Sequence, residues 1–368
     1  MTRATRSCEH WMALAVITAA CSGVDDDAPA FRSTSTAGSA TTTHAANAPS
    51  DRYEPGSSSE DEVADPEAAL AAIPNEMRPT QLLPALKRRL LVPNVGKHGA
   101  AMFTDVVTVE PGQDVTFCTY VPGVTDRTLY IHDTQGAQTS SGHHAILHYT
   151  TSPSAPGTRL CDPESPEAQQ GQILGGTGGE GNGAIKVPGN VVSAVPAGSQ
   201  FIINHHWINT TDEPMQAQAE MITVPPDNED NLIIARALVV TSINFAIPAN
   251  QTVEHSVTCM FDRDVTLLSM FGHQHSWGTH VEAERVGSQP EVIFDHDYDE
   301  TMISHPLTKD FSVEAPYQLS AGEGVRMTCQ WNNNTDAALS FPREMCVFFG
   351  WQIGASADSQ CVDGTWFK

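Results

Sequence analysis

Basic residues are scarce in this chain. Lys and Arg number 19 against 44 Asp and Glu over 368 residues, a formal charge of -25. A surface so poor in cations cannot displace counterions from a phosphate backbone or an anionic bilayer, which excludes nucleic acid as a partner. Long apolar runs are also missing. The stretch from Trp11 to Ala20 is too short to cross a membrane. No two cysteines form a CxxC pair, which argues against a structural zinc ribbon or a thioredoxin-like redox role. From Thr104 onward no segment keeps a 3.6-residue apolar period, which removes the signal of amphipathic helices there.

The N-terminus reads as an export signal. Arg3 and Arg6 precede the short apolar run, and ITAAC followed by Ser22 and Gly23 resembles a bacterial lipobox, with Thr18 where Leu is usual. Residues 1–21 are thus expected to be removed or lipidated, anchoring the chain to the cell envelope through Cys21. Residues 22–97 form a low-complexity linker and arm. The part as far as Asn75 is too poor in branched apolar residues to order itself, and Thr80 to Asn94 is an amphipathic arm that packs on the first domain. The six cysteines beyond Cys21 form an even set in an exported chain. They imply three disulfides, with 15 connectivities open.

From Thr104 onward, short runs such as DVTFCTYV, QFIINHHWI, DVTLLSMFG and MCVFFGW alternate with Gly, Pro, Asn and Asp turns. Strands at this spacing without helices between them indicate an all-β chain of two antiparallel β-sandwich, jelly-roll-like domains in tandem. An internal echo supports two related sandwiches: Ala197, Gly198, Trp207, Asn209, Thr211 and Asp212 recur at the same spacing as Ala321, Gly322, Trp331, Asn333, Thr335 and Asp336. The boundary falls near Pro225 and Pro226, giving domains at 98–225 and 226–368.

Histidine is the residue type that carries chemistry. Of 15, several are grouped: His143 with His144, His205 with His206, and His273 with His275. Two residues apart on a strand, His273 and His275 project from one face and can converge on one ion. Adjacent histidines point to opposite faces. A bulge or strand end is therefore needed for both His143 and His144 to ligate, and only one of His205 and His206 can point inward.

This grouping resembles the copper type II, ascorbate-dependent monooxygenases, the family of peptidylglycine hydroxylating and dopamine beta monooxygenases, over roughly Asp114 to Cys361. In that family one copper sits on three histidines, two of them adjacent, which SGHHAILHY matches with His143 and His144. The third lies in a strand that FIINHHW resembles, selecting His206. The second copper takes an HxH and a methionine in a Glu-Met-Cys string, matched by His273, His275 and Glu344-Met345-Cys346. A thioether beside two imidazoles favours Cu(I).

The resemblance implies two coppers per chain and O2, with ascorbate or an equivalent reductant. It also implies a small organic substrate hydroxylated at a C–H bond in the cleft between domains, where His273, His275 and Met345 are the catalytic set. It pairs Cys118 with Cys161, Cys259 with Cys361, and Cys329 with Cys346. Where the peptidylglycine enzyme grips a carboxylate, this chain has Phe271, Val347 and Phe349. With Phe348, the phenylalanines point to an apolar substrate. Asp295, His296, Asp297, Asp299 and His305 read as a solvated loop. Two other functions fit parts of the pattern: a non-catalytic exported copper-binding protein, and a cupin-like enzyme holding one metal on His273, His275 and a carboxylate such as Glu282 or Glu284.

Overall fold

Alternation of apolar and polar residues dominates the chain from Ala101, and the computed structural model accordingly describes strands almost throughout. It covers residues 63–161, 171–178, 190–303, 306–341 and 343–367. The signal and Cys21, and with them the expected lipid anchor, lie outside the described residues, as does His305.

In the first half, a five-stranded sheet runs in the order Gly157–Leu160, Asp114–Tyr120, Gln200–Ile208, Gly142–Thr150 and Gln172–Gly178, all antiparallel. It packs against a three-stranded sheet, Ala101–Phe103, Ala219–Val224 and Asp133–Gln138, over a core containing Leu147, Tyr149, Ile203, Trp207 and Met221. The second half pairs a large mixed sheet with a four-stranded one. The central neighbours of the large sheet are Val265–His273, Cys346–Ile353 and Ile233–Ser242. The smaller sheet runs Gln251–Met260, Gly324–Asn333, Gly278–Val286 and Glu291–Asp297. Between them lies a core that includes Leu238, Met270, Met327, Trp331 and Phe348. The chain is an all-β sandwich protein.

The halves are joined by more than the linker at Pro225. Val191–Val195, from the first half of the sequence, pairs in parallel with Ile233 and Ile234 of the large sheet. The other face of that sheet, through Val239, Phe271, Phe349 and Trp351, forms a further buried apolar cluster with Ile173. Asp358 accepts the backbone N–H groups of both Ile173 and Ala237, one from each half.

The sequence echo is also an echo in structure. Gly198 and Gly322 both take φ above +80° in the turn before their strands, a conformation that favours glycine. Trp207 and Trp331 are both fully buried. Asn209 and Asn333 each donate to backbone carbonyls across the loop and each accept the N–H and hydroxyl of the Thr two residues on, at 3.0 and 2.7 Å in both copies.

Order begins earlier than the composition suggests. Asp65 caps a helix, Pro66–Ala72, by accepting from the N–H groups of Glu67 and Ala68, and Ile73 just beyond it is fully buried. Alanine-rich composition resembles a linker but also has high helix propensity, and one buried isoleucine with Leu90, Ala101 and Ile222 fixes the helix in place. The arm packs on the first half as expected: Leu86 and Leu90 are buried, and Leu83 and Leu91 donate to Gln218 and Glu220.

All three disulfides have the expected pairing, Cys118 with Cys161, Cys259 with Cys361 and Cys329 with Cys346. Such bridges persist in oxidising compartments, outside the cytosol. No helix among the described residues is long and apolar enough to cross a membrane.

Candidate metal centre

His143 and His144 achieve the geometry that a regular strand forbids. His206 pairs with His144 and Trp207 with Gly142, so the register skips His143 and a bulge turns its ring to the same side as its neighbour's. The ligand atoms of His143, His144 and His206 all lie within 4.8 Å of one another. His205 takes the opposite face. Its Nε2 meets Thr119 Oγ1 at 3.0 Å and its Nδ1 accepts from the Trp207 indole at 2.7 Å, so both nitrogens are used within the core.

On the second half, His273 ends the strand Val265–His273 opposite Val347. His275 lies two residues beyond His273 and Met345 two residues before Val347, so the same antiparallel register carried on by two residues would set them opposite each other. The rings of His273 and His275 stand 5.2 Å apart, and Met345 and His273 line one cavity. His275 Nδ1 donates to the carbonyl of Arg343 at 3.0 Å, which fixes the tautomer that leaves Nε2 with a free lone pair.

Glu344 organises this set, a role that sequence reading did not assign. Fully buried, its carboxylate accepts the backbone N–H of His275, Trp277 and Met345 and the indole N–H of Trp331. One side chain thus ties the HxH loop to the methionine strand. Burial nevertheless pushes its pKa up to about 7, against the opposing pull of those four donors. Only its place beside Met345 marked it in sequence.

The two ligand sets touch. His143 packs edge to face on His275 with ring centroids 3.9 Å apart, and on His206 at 4.7 Å. The cleft expected between the sets is therefore closed at this point, and the open space lies to one side of them. Burial, followed by repulsion among the rings, holds His143 and His144 well below the ordinary imidazole range. Burial alone brings His273 to about 4. These rings are neutral at pH 7, the state in which imidazole ligates a metal.

Whether the residues fit a metal is decided by atoms without partners. His144 Nε2, His206 Nδ1 and His275 Nε2 are buried, hydrogen-bond to nothing, and belong to the two sets. A buried imidazole nitrogen left unpaired costs free energy that ligation of an ion recovers. The second nitrogen of His206 contacts Asp114, which orients the ring in the carboxylate–histidine–metal manner. His148, two positions along the same face from Ile146, also has an unpartnered buried Nε2.

Two expectations need correction. Phe348 does not join Phe271 and Phe349 but points to the opposite side of its strand, into the core of the second half. Asp295, His296 and Asp297 belong to the strand Glu291–Asp297, because His280, Val281 and Glu282 supply a partner for each. On that strand pair, His280, Glu282 and Asp295 lie within 4.8 Å of one another. His280 pairs with Asp295 and Asp297 at 3.2 and 3.3 Å. Glu282 thus lies with His280 and Asp295, and among the described residues no carboxylate is grouped with His273 and His275.

Beside His144, His273 and Met345 opens a cavity of about 110 Å³ walled by both halves, including Ile146, Ile173, Val239, Phe271, Val347 and Phe349.

No family model and no curated protein matches the chain. Among solved structures it is similar to the major capsid protein P2 of bacteriophage PM2, at 8% identity over 70% of this chain and 99% of that one, with a TM-score of 0.27. The STIV MCP is similar at 8% identity over 68% and 96%, TM-score 0.27. The plant receptor-like kinase FER is similar at 8% identity over 78% and 97%, TM-score 0.23. At such scores no common topology is inferred.

Proposed function

We propose that the chain is an exported copper-dependent monooxygenase. The reaction is R–H + O2 + AH2 → R–OH + H2O + A, where AH2 is ascorbate or an equivalent two-electron reductant. One oxygen atom enters a C–H bond of a small organic substrate. The other leaves as water with the two electrons and two protons of AH2. Copper at the two sets would supply the one-electron redox chemistry with O2 that no side chain can.

The observation that carries this reading is the contact of two chemically unlike ligand sets beside a cavity. Three imidazoles, His143, His144 and His206, suit either oxidation state of copper, whereas His273 and His275 with the thioether of Met345 favour Cu(I). Arg343 and Glu344 hold the His275 ring and backbone, and Asp114 orients His206. The closed cores on either side of His205 and Trp331 exclude water from the back of the site. A lipid at Cys21, followed by the linker, would tether this centre to the envelope.

Copper loading followed by oxygen-electrode measurement tests the proposal. Two coppers per chain and reductant-dependent O2 uptake are expected, and Met345→Ile is expected to abolish uptake while the Cu(II) spectrum of the three-histidine set persists. Uptake that survived Met345→Ile would overturn the division of labour. Two coppers with no uptake would leave a copper-binding protein.

A further inference from the structure

We infer that the cavity beside Met345 admits an uncharged, apolar molecule with about the bulk of one aromatic ring, and rejects carboxylates and amines of the same size. The inference rests on the monooxygenase reading for what becomes of that molecule, but not for its binding.

The floor of the cavity is one face of the large sheet. Val239, Phe349 and Phe271 are direct register partners across three neighbouring strands, so their side chains rise side by side, and the two phenylalanine rings stack 5.3 Å apart. Val347, two residues from Phe349, carries the same face up to His273. The facing wall belongs to the first half and is built from Ile146 and Ile173. The same wall carries Gly175, Gly176 and Gly178, and a Cβ on Gly176 would stand 2.9 Å from the carbonyl oxygen of Ala145 on the paired strand, so that position takes no side chain.

Charge is absent from this lining. Among the described residues, the cavity is bounded by no Lys, Arg, Asp or Glu. Its one hydroxyl is that of Thr177. The other polar side chains of the lining are the imidazoles of His144 and His273, which share it with Met345. A substrate carrying a carboxylate or ammonium would lose its hydration against Phe, Val and Ile without gaining a counter-charge, a penalty that makes such ligands weaker by about tenfold or more. A neutral apolar molecule meets no such penalty. The volume of about 110 Å³ is of the order of the roughly 150 Å³ apolar cavity that takes up benzene. A molecule in this space lies beside the end that holds His144, His273 and Met345.

Ethylbenzene, benzoate and benzylamine have similar bulk and differ in charge. They would be titrated calorimetrically into the full chain stripped of metal, so that neither charged probe can bind by ligating an ion. Ethylbenzene should bind at least about tenfold more tightly than either. Val347→Phe, which fills the cavity, should abolish ethylbenzene binding, and Val347→Arg should reverse the order in favour of benzoate. Should either variant misfold, the ranking on the unmodified chain still decides. Benzoate or benzylamine binding as tightly as ethylbenzene, or no binding of ethylbenzene, overturns the inference. Adding copper, ascorbate and O2 separates the two readings. Ethylbenzene that binds but yields no phenylethanol counts against the monooxygenase and leaves the cavity assignment standing. Hydroxylation confined to the charged probes sinks the cavity assignment and leaves the monooxygenase.

Discussion

The ring of His143 meets the ring of His275 edge to face, 3.9 Å between centroids, although one sits on a bulge in the first half of the chain and the other beyond a strand end in the second. The two ligand sets therefore form one assembly. Loaded with Cu(II) at both sets, the protein is expected to give an electron paramagnetic resonance signal that integrates to clearly less than two spins per chain. His275→Ala removes one ring from the contact and should restore a full single-spin signal from the three-histidine set. An undisturbed two-spin signal from the unmodified protein would show that the sets part in solution.

Glu344 is the most heavily used acceptor at this site. Replacing it with alanine orphans three buried donors, on His275, Met345 and Trp331, and a partly buried one on Trp277. Each hydrogen bond to a charged group contributes about 1.5–3 kcal/mol, and the set is not additive, so a loss of about 3–5 kcal/mol in thermal unfolding is expected. Competition with a Cu(I) chelator should show weakened affinity at the methionine set. Affinity of the three-histidine set for Cu(II) should change little.

What sequence made legible was whatever depends on local spacing. The HxH was readable because side chains repeat every two residues on a strand, and the bulge at His143 was readable because adjacent rings cannot otherwise converge. The choice of His206 over His205 and the disulfide pairs came through family resemblance, and the geometry agrees with both. Long-range relations were not legible. Nothing near Glu344 announces that Trp277 and Trp331 donate to it, and nothing near Asp358 shows that it bridges Ile173 and Ala237. Phe348 was misplaced for a related reason: in the run FF, alternation says that the rings part but not which one faces the site.

Acid should destabilise the metal-free protein. Burial lowers His148 and His273 to about 4 and His205 to about 3, below the ordinary value of 6.5. Below pH 6.5 the unfolded chain takes up protons that the folded chain refuses, so the stability these groups contribute is complete above 6.5 and is lost progressively down to about pH 3–4. Thermal melts between pH 8 and pH 4 should show the midpoint falling on the acid side of 6.5. Copper should raise the midpoint at pH 7, and a chelator should remove that gain. The increment should fade with acidification because protons compete for the same nitrogens.

The bridge between Cys329 and Cys346 anchors the start of the strand that follows Met345, closing a loop with a sequence separation of 17. Removing it as Cys329→Ala with Cys346→Ala should cost about 3 kcal/mol and lower Cu(I) affinity, since a flexible thioether is then held less firmly. The Cys259–Cys361 bridge spans 102 residues within the same half. Its double alanine variant should cost at least as much stability with a smaller effect on Cu(I). Equal losses of Cu(I) affinity in the two variants would show that the first acts through general loosening of the half rather than through Met345.

Glu220 gives the opposite pH dependence, in a place remote from the histidines in sequence and tied to the N-terminal arm. It is fully buried, accepts the Leu91 N–H through one oxygen, and leaves the other without a partner. Burial pushes its pKa up to about 8 from 4.5. The folded chain keeps this proton where the unfolded chain releases it, so stability falls as pH rises from about 4.5 to about 8. Glu220→Gln retains the acceptor for Leu91 and cannot ionise. It should lie close to the parent protein near pH 5 and exceed it by roughly 3–5 kcal/mol at pH 8.5. A gap that stayed constant across that range would mean the carboxylate ionises in the fold as freely as in the unfolded chain, with its charge compensated by a neighbour.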